Sequence, residues 1–146
     1  MHYVIFDLEW NQPAQWDAAI TTPVFLEGEI VEIGAVKLND QFQRVDEFRT
    51  FIKPVFYPKM HKEVSSLTGI RDKDLAEKGI PFSDAYAQFV DWCGENYAFM
   101  TWSMSDMPML IENMMLRHWK RKPTEKDIEI ALEYISDNDS VQMLSN

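Results

Sequence analysis

Tyr3-Val4-Ile5-Phe6-Asp7-Leu8-Glu9-Trp10 is an apolar run interrupted near its end by two carboxylates set two residues apart. Such a run reads as a buried strand, and side chains two apart on a strand share a face. Asp7 and Glu9 therefore project together from the end of a first strand. Like charges held side by side next to a core are destabilising unless something positive lies between them. Oxygen-only donors suit a hard cation such as Mg²⁺ or Mn²⁺ better than zinc. An isolated Asp-x-Glu pair is common on solvated surfaces, so the segments that follow decide its meaning.

Past a loop containing Gln12-Pro13-Ala14-Gln15-Trp16, residues 29–38 (Glu-Ile-Val-Glu-Ile-Gly-Ala-Val-Lys-Leu) read as a second strand. Asn39-Asp40 is a turn signal, and 45–53 reads as a third strand ending at Pro54. Short connections between the early strands predict an antiparallel meander. The pattern then turns helical. A short helix is expected over Lys59–Ser66, leading into Leu67-Thr68-Gly69-Ile70, where Gly69 suits a helix stop. From Pro81 to Glu95, Phe82, Ala85, Tyr86, Phe89, Val90 and Cys93 recur at helical spacing, with Gly94 as the stop. Tyr97–Trp102 reads as a fourth strand, followed by a helix from about Ser105 to His118. Met104, Met107, Met114 and Met115 are adaptable core filler there. After Pro123, the alternation of Ile128, Ile130, Leu132 and Tyr134 suits strand and helix almost equally. Thr124, a cap candidate, favours the helix, and Ser136–Asn146 reads as a polar tail.

Neither a repeat nor a linker divides the chain, so residues 1–146 are expected to form one mixed α/β domain. The first and fourth strands should be parallel neighbours. Ligands of open α/β sheets sit off the carboxyl ends of such strands. Asp7 and Glu9 occupy that end of the first strand, and Asp106 lies just beyond the fourth. The three carboxylates can therefore converge.

Composition narrows the class. A chain of 146 residues, 46% hydrophobic and 13% aromatic, can bury a sizeable core. The formal net charge of −10 argues against coating duplex nucleic acid by charge alone, while leaving room for a few phosphates held through cations. Arg117-His118-Trp119-Lys120-Arg121-Lys122 is the dense basic segment, and helix-dipole complementation is a better reading of it than phosphate contact. No stretch reaches the roughly 20 apolar residues of a membrane helix, and Met1-His2 runs directly into strand-like sequence without a leader pattern. The lone Cys93 falls on an apolar helix face and reads as a small buried hydrophobe. A cytoplasmic protein with no membrane partner is the expectation.

Four segments in order resemble the DEDD-type 3′–5′ exonucleases of the ribonuclease H-like fold, in the subclass whose last motif contains a histidine. Phe6-Asp7-Leu8-Glu9-Trp10-Asn11 is similar to the first exonuclease motif, and Glu29–Val36 to the strand that follows it. Leu67-Thr68-Gly69-Ile70 resembles the Thr-Gly-Ile segment beside the 3′ nucleotide. Thr101-Trp102-Ser103-Met104-Ser105-Asp106 resembles the second motif. Within the family, the inhibitor-of-sporulation-pathway and histone-mRNA exonuclease group is most similar. The resemblance implies that Asp7, Glu9 and Asp106 are catalytic metal ligands at a two-metal site loaded with Mg²⁺ or Mn²⁺. It implies that Leu8, Trp10 and Thr68 hold the 3′ end of single-stranded RNA or DNA, and that nucleoside 5′-monophosphates are released.

The family's third motif, a His followed five residues later by an Asp, has no match. Pro123 lies five after His118, Ser66 lies five after His61, and His2 precedes the first strand. The residues after Lys122 are expected to lack the usual last strand and helix, leaving the domain truncated and the fourth strand at an edge. Exposed apolar edges invite pairing, so either a second copy of the chain or residues 124–135 should cover it. Two functional readings follow. One is a 3′–5′ exonuclease weakened by loss of a general base, an effect of roughly 10²–10⁴ in rate. The other is a catalytically inactive relative acting through nucleic-acid or protein binding.

Overall fold

The computed structural model describes residues 1–21, 25–101 and 105–118, with side chains through Met114. Strand β1 (His2–Asn11) pairs antiparallel with β2 (Glu29–Leu38), which pairs antiparallel with β3 (Arg44–Phe51). Strand β4 (Tyr97–Thr101) returns parallel to β1, giving the order β3-β2-β1-β4. The expected meander and the parallel pairing are both present, each strand end falling within two residues of its expected place.

Alternation along β1 divides its side chains between the two faces of the sheet. Val4, Phe6 and Leu8 are buried, while Tyr3, Ile5, Asp7 and Glu9 are half-buried or exposed. The buried set joins Ile30, Ile33 and Ala35 of β2 in the main core. Helix α3 (Phe82–Cys93) covers this core with the residues its spacing predicts, Cys93 included. Helix α4 (Asp106–His118) adds Met109, Leu110 and Met114. Phe6 meets Phe89 and Phe99 edge-on at centroid distances of 5.8 and 5.2 Å, an arrangement that aromatic quadrupoles favour.

Helix α1 begins later than expected, spanning Lys62–Thr68 instead of Lys59–Ser66. The cause is a commitment of backbone groups elsewhere. Buried Asn11, at the end of β1, donates from Nδ2 to the carbonyls of Tyr57 (2.9 Å) and Lys59 (2.8 Å). Its Oδ1 accepts from the His61 N–H at 2.7 Å. Only past His61 is the backbone free to wind, and His61 caps the helix by accepting from the Glu63 N–H at Nδ1. Gly69, at φ 75°, stops it as expected. A seven-residue helix not anticipated from sequence, α2 (Asp72–Lys78), buries only Leu75. So short an element lacks the repeated apolar spacing that reveals a helix. Together α1 and α2 close a smaller core of Val31, Met60, Val64, Ile70 and Leu75.

The segment after Lys122, Trp102 to Met104, and the Met115 side chain lie outside the described residues. So do the basic segment's side chains. Among the described residues no helix is long and apolar enough to cross a membrane.

Candidate active site

Among the described residues, strand pairing on the β1–β4 side runs as far as Phe6–Thr101, and Asp7 is the next residue along β1. Asp7 lies opposite Gly34 of β2 and is exposed. It borders a shallow cavity of about 250 Å³ whose lining includes Ile5, Gly34, Val36, Glu47 and Arg49. Glu9, half-buried on the same face, lies opposite Glu32. Asp106 opens α4 just past the end of β4 and is only 1% exposed.

Electrostatics show that these groups sense one another. The Glu9 carboxyl is held above its ordinary value, chiefly by burial, then by the negative charges of Asp7, Glu32 and Asp106. The fold thus brings Asp7 and Asp106 into the field of Glu9, as the strand order requires. Glu32 is the neighbour that sequence reasoning missed as a charge partner. Two glutamates directly opposite on paired strands repel, and Arg49 of β3 offsets this with a 2.6 Å ion pair from Nε to Glu32. Glu32 and Arg49 fall on the face that carries Glu9 and Asp7 only once the β1–β2–β3 register is fixed, so the local pattern did not reveal them.

Among the described residues, no three of His, Cys, Asp and Glu are gathered closely enough to hold a metal ion. The chemistry of the donor set nevertheless fits a hard divalent cation: oxygen donors alone, of like charge, with the Glu9 carboxyl held up chiefly by burial and then by its acidic neighbours. A cation would relieve that repulsion.

The other expected substrate contacts are placed as follows. Leu8 is buried in the main core, so only its backbone faces outward. Trp10 is partly buried against the same core. A Cβ at Gly28 would stand 2.3 Å from Trp10 Cδ1, so the ring occupies space that only glycine leaves. The Thr68 hydroxyl is engaged in closing α1, donating to the Val64 carbonyl at 2.8 Å and accepting from the Ile70 N–H at 3.1 Å. It fixes the turn at Gly69 that ends α1.

A further network frames the site. The Glu29 carboxylate, 1% exposed, accepts from three successive backbone N–H groups, those of Val55, Phe56 and Tyr57, at 2.7–3.2 Å. With Asn11 it anchors residues 55–61 to the end of β1 and the start of β2. Neither residue stood out in the sequence, because a buried polar anchor carries no local pattern.

Comparison with known proteins agrees with this geometry. A probable 3′–5′ exonuclease of Bacillus subtilis, KapD, is 30% identical over 132 residues, covering 90% of this chain and 62% of the relative. The 3′–5′ exonuclease Snipper of Drosophila melanogaster is 27% identical over 69% of this chain and 43% of the relative. The chain thus spans about two fifths to three fifths of the length of these relatives. Among solved structures, the nuclease domain of 3′hExo, described as a DEDDh family member bound to rAMP, superposes with a TM-score of 0.65 at 22% identity. That likeness covers 80% of this chain and 60% of the other, and it shows the ribonuclease H-like fold. The profile of the RNase T exonuclease family matches residues 4–144, past the point where the recognisable motifs stop. A sheet of this order, with paired carboxylates on its central strand and homology over nearly the whole chain, places the protein in the RNase T exonuclease family.

Proposed function

We propose that this chain is a metal-dependent 3′–5′ exonuclease domain acting on the ends of single-stranded RNA or DNA and releasing nucleoside 5′-monophosphates. What supports the reading is the placement of Asp7 and Glu9 on one face of β1 near its carboxyl end, with Asp106 opening α4 just past the end of β4. These three residues would hold divalent cations, Mg²⁺ or Mn²⁺. When bound, such ions supply positive charge to the scissile phosphate and acidify water. The chain's own contribution is placement. Leu8 and Glu9 offer backbone at the strand end, the Thr68–Gly69 turn bounds the terminal nucleotide, and Trp10 lies beside it. The rAMP carried by the 3′hExo domain has the size and chemistry of such a product. A histidine general base is not supplied by His61, whose Nδ1 is occupied in capping α1.

The test is degradation of 3′-labelled and 5′-labelled single-stranded oligonucleotides with Mn²⁺, comparing the chain with Asp7→Ala. Metal-dependent loss of the 3′ label first, reduced at least about a thousandfold by the substitution, is the expected result. Equal behaviour of the two proteins would sink the proposal and favour a non-catalytic binding role. A second element of the reading is self-association through β4, favoured by its position as the terminal strand of the sheet among the described residues.

A further inference from the structure

Trp16 and Phe25 are 59% and 48% exposed, yet their rings pair at a centroid distance of 6.4 Å and an angle of 36°. They belong to the connection between β1 and β2, the first in the 3₁₀ turn Trp16–Ala18. Two large rings that meet each other outside the core are an uncommon use of apolar surface, and such patches mark contact sites. Their frame is fixed. Leu26 and Tyr57 are buried together, with Ile20 and Phe56 packed against them. The Tyr57 hydroxyl donates to the Leu26 carbonyl at 2.7 Å and accepts from the Ile20 N–H at 2.9 Å.

This frame ties the aromatic pair to a segment whose charge is opposite in sign to the chain's net charge. Residues 51–62 (Phe-Ile-Lys-Pro-Val-Phe-Tyr-Pro-Lys-Met-His-Lys) contain three lysines and no acid, in a protein with 24 acidic and 14 basic residues. Lys53, Lys59 and Lys62 are all exposed. Asn11 holds the same segment to the end of β1, two residues past Glu9. Trp16 follows Glu9 by seven residues, a span of at most about 24 Å when fully extended. Acids do stand nearby: Asp17 adjoins Trp16, Glu27 follows Leu26, and Glu63 opens α1. Stacking is indifferent to them, because every base presents a π face whatever the local charge.

We propose that Trp16 and Phe25, in the connection between β1 and β2, and residues 53–62 together bind the single strand 5′ of the terminal nucleotide. Bases stack on Trp16 and Phe25, and phosphates face Lys53, Lys59 and Lys62. This rests on the exonuclease reading for its direction, since the strand is taken to run outward from the carboxylates. An acidic protein thereby holds a polyanion by stacking along one local basic strip, where a charged groove would be out of keeping with a net charge of −10.

The experiment is fluorescence anisotropy with 5′-fluorescein oligoadenylates of eight and two nucleotides, with Ca²⁺ in place of a catalytic cation so that binding is read without turnover. The parent chain should bind the octamer at least about tenfold more tightly than the dimer. In the double variant Trp16→Ala/Phe25→Ala that ratio should collapse, and Trp16→Tyr alone should retain most of it. Lys53→Gln/Lys59→Gln should lower the salt slope of octamer binding by about 1.4, or about 0.7 for each phosphate no longer neutralised. Circular dichroism confirms that each variant is folded, which the exposure of all four side chains favours. A parent without length preference, or a folded double variant that keeps it, overturns the platform. Length-dependent binding with no degradation of the labelled oligonucleotides overturns the exonuclease reading and leaves the platform standing. Degradation with binding indifferent to both rings does the reverse.

Discussion

At the scale of single residues, Glu112 on α4 is a carboxylate in an unfavourable place. Its Oε2 is buried and has no hydrogen-bond partner among the described residues. Burial, and secondarily the charge of Glu27, hold its carboxyl above the ordinary value of 4.5. A group whose folded-state pKa is raised keeps its proton to higher pH in the native state than in the unfolded chain. Its favourable contribution is therefore complete below the ordinary carboxyl value and lost as pH rises through the raised one. Glu112→Gln, which removes the charge and keeps the shape, should raise Tm at pH 7 by about 1–3 °C. It should leave Tm unchanged near about pH 4, where both forms are neutral. Thermal scans at the two pH values check this, and a stabilisation of equal size at both would show that ionisation is not the cause. The Asp7–Glu9 pair was legible because a period of two is a local property. The Glu32–Arg49 pair was not, since it exists only after two strand registers are set.

At the scale of elements, the two polar anchors explain why a loop with two prolines holds a defined course. Glu29 and Asn11 gather backbone groups from Val55 to His61 and fasten them to adjoining strands. Removing the Glu29 carboxylate leaves three backbone donors without the acceptor they share. Glu29→Ala is expected to cost about 2–4 kcal/mol, read from the midpoint of urea denaturation. A loss below about 0.5 kcal/mol would mean that water replaces the carboxylate. Strands β1 and β2 and helix α3 were readable because their apolar periods persist over ten or more residues. The start of α1 was shifted by contacts with β1, and α2 was too short to show a period.

At the scale of the whole molecule, the sheet order β3-β2-β1-β4 puts the carboxylate strand in the interior and β4 last in line among the described residues. Met100 and Thr101 of β4 are exposed. Edge strands of this kind pair with whatever complementary edge is offered, and two-fold pairing of identical strands is the simplest closed solution. Light scattering over a range of concentrations should report twice the chain mass of 17.2 kDa. A mass of one chain at all concentrations would defeat self-association through β4. The net charge of −10 opposes such pairing at low ionic strength, so the dimer fraction should rise with salt.

By itself the sequence determined the strand and helix inventory along most of the chain, the shared face of Asp7 and Glu9, and the kinship carried by four ordered motifs. All of these are short-range properties of side-chain period and spacing. Tertiary structure alone decided that Glu32 bears on Glu9, that Asn11 and Glu29 fasten the loop beside the site, and that Trp16 meets Phe25 at the surface. Each of those joins residues brought together by strand pairing or loop packing, and such contacts leave no trace in the local pattern of either partner.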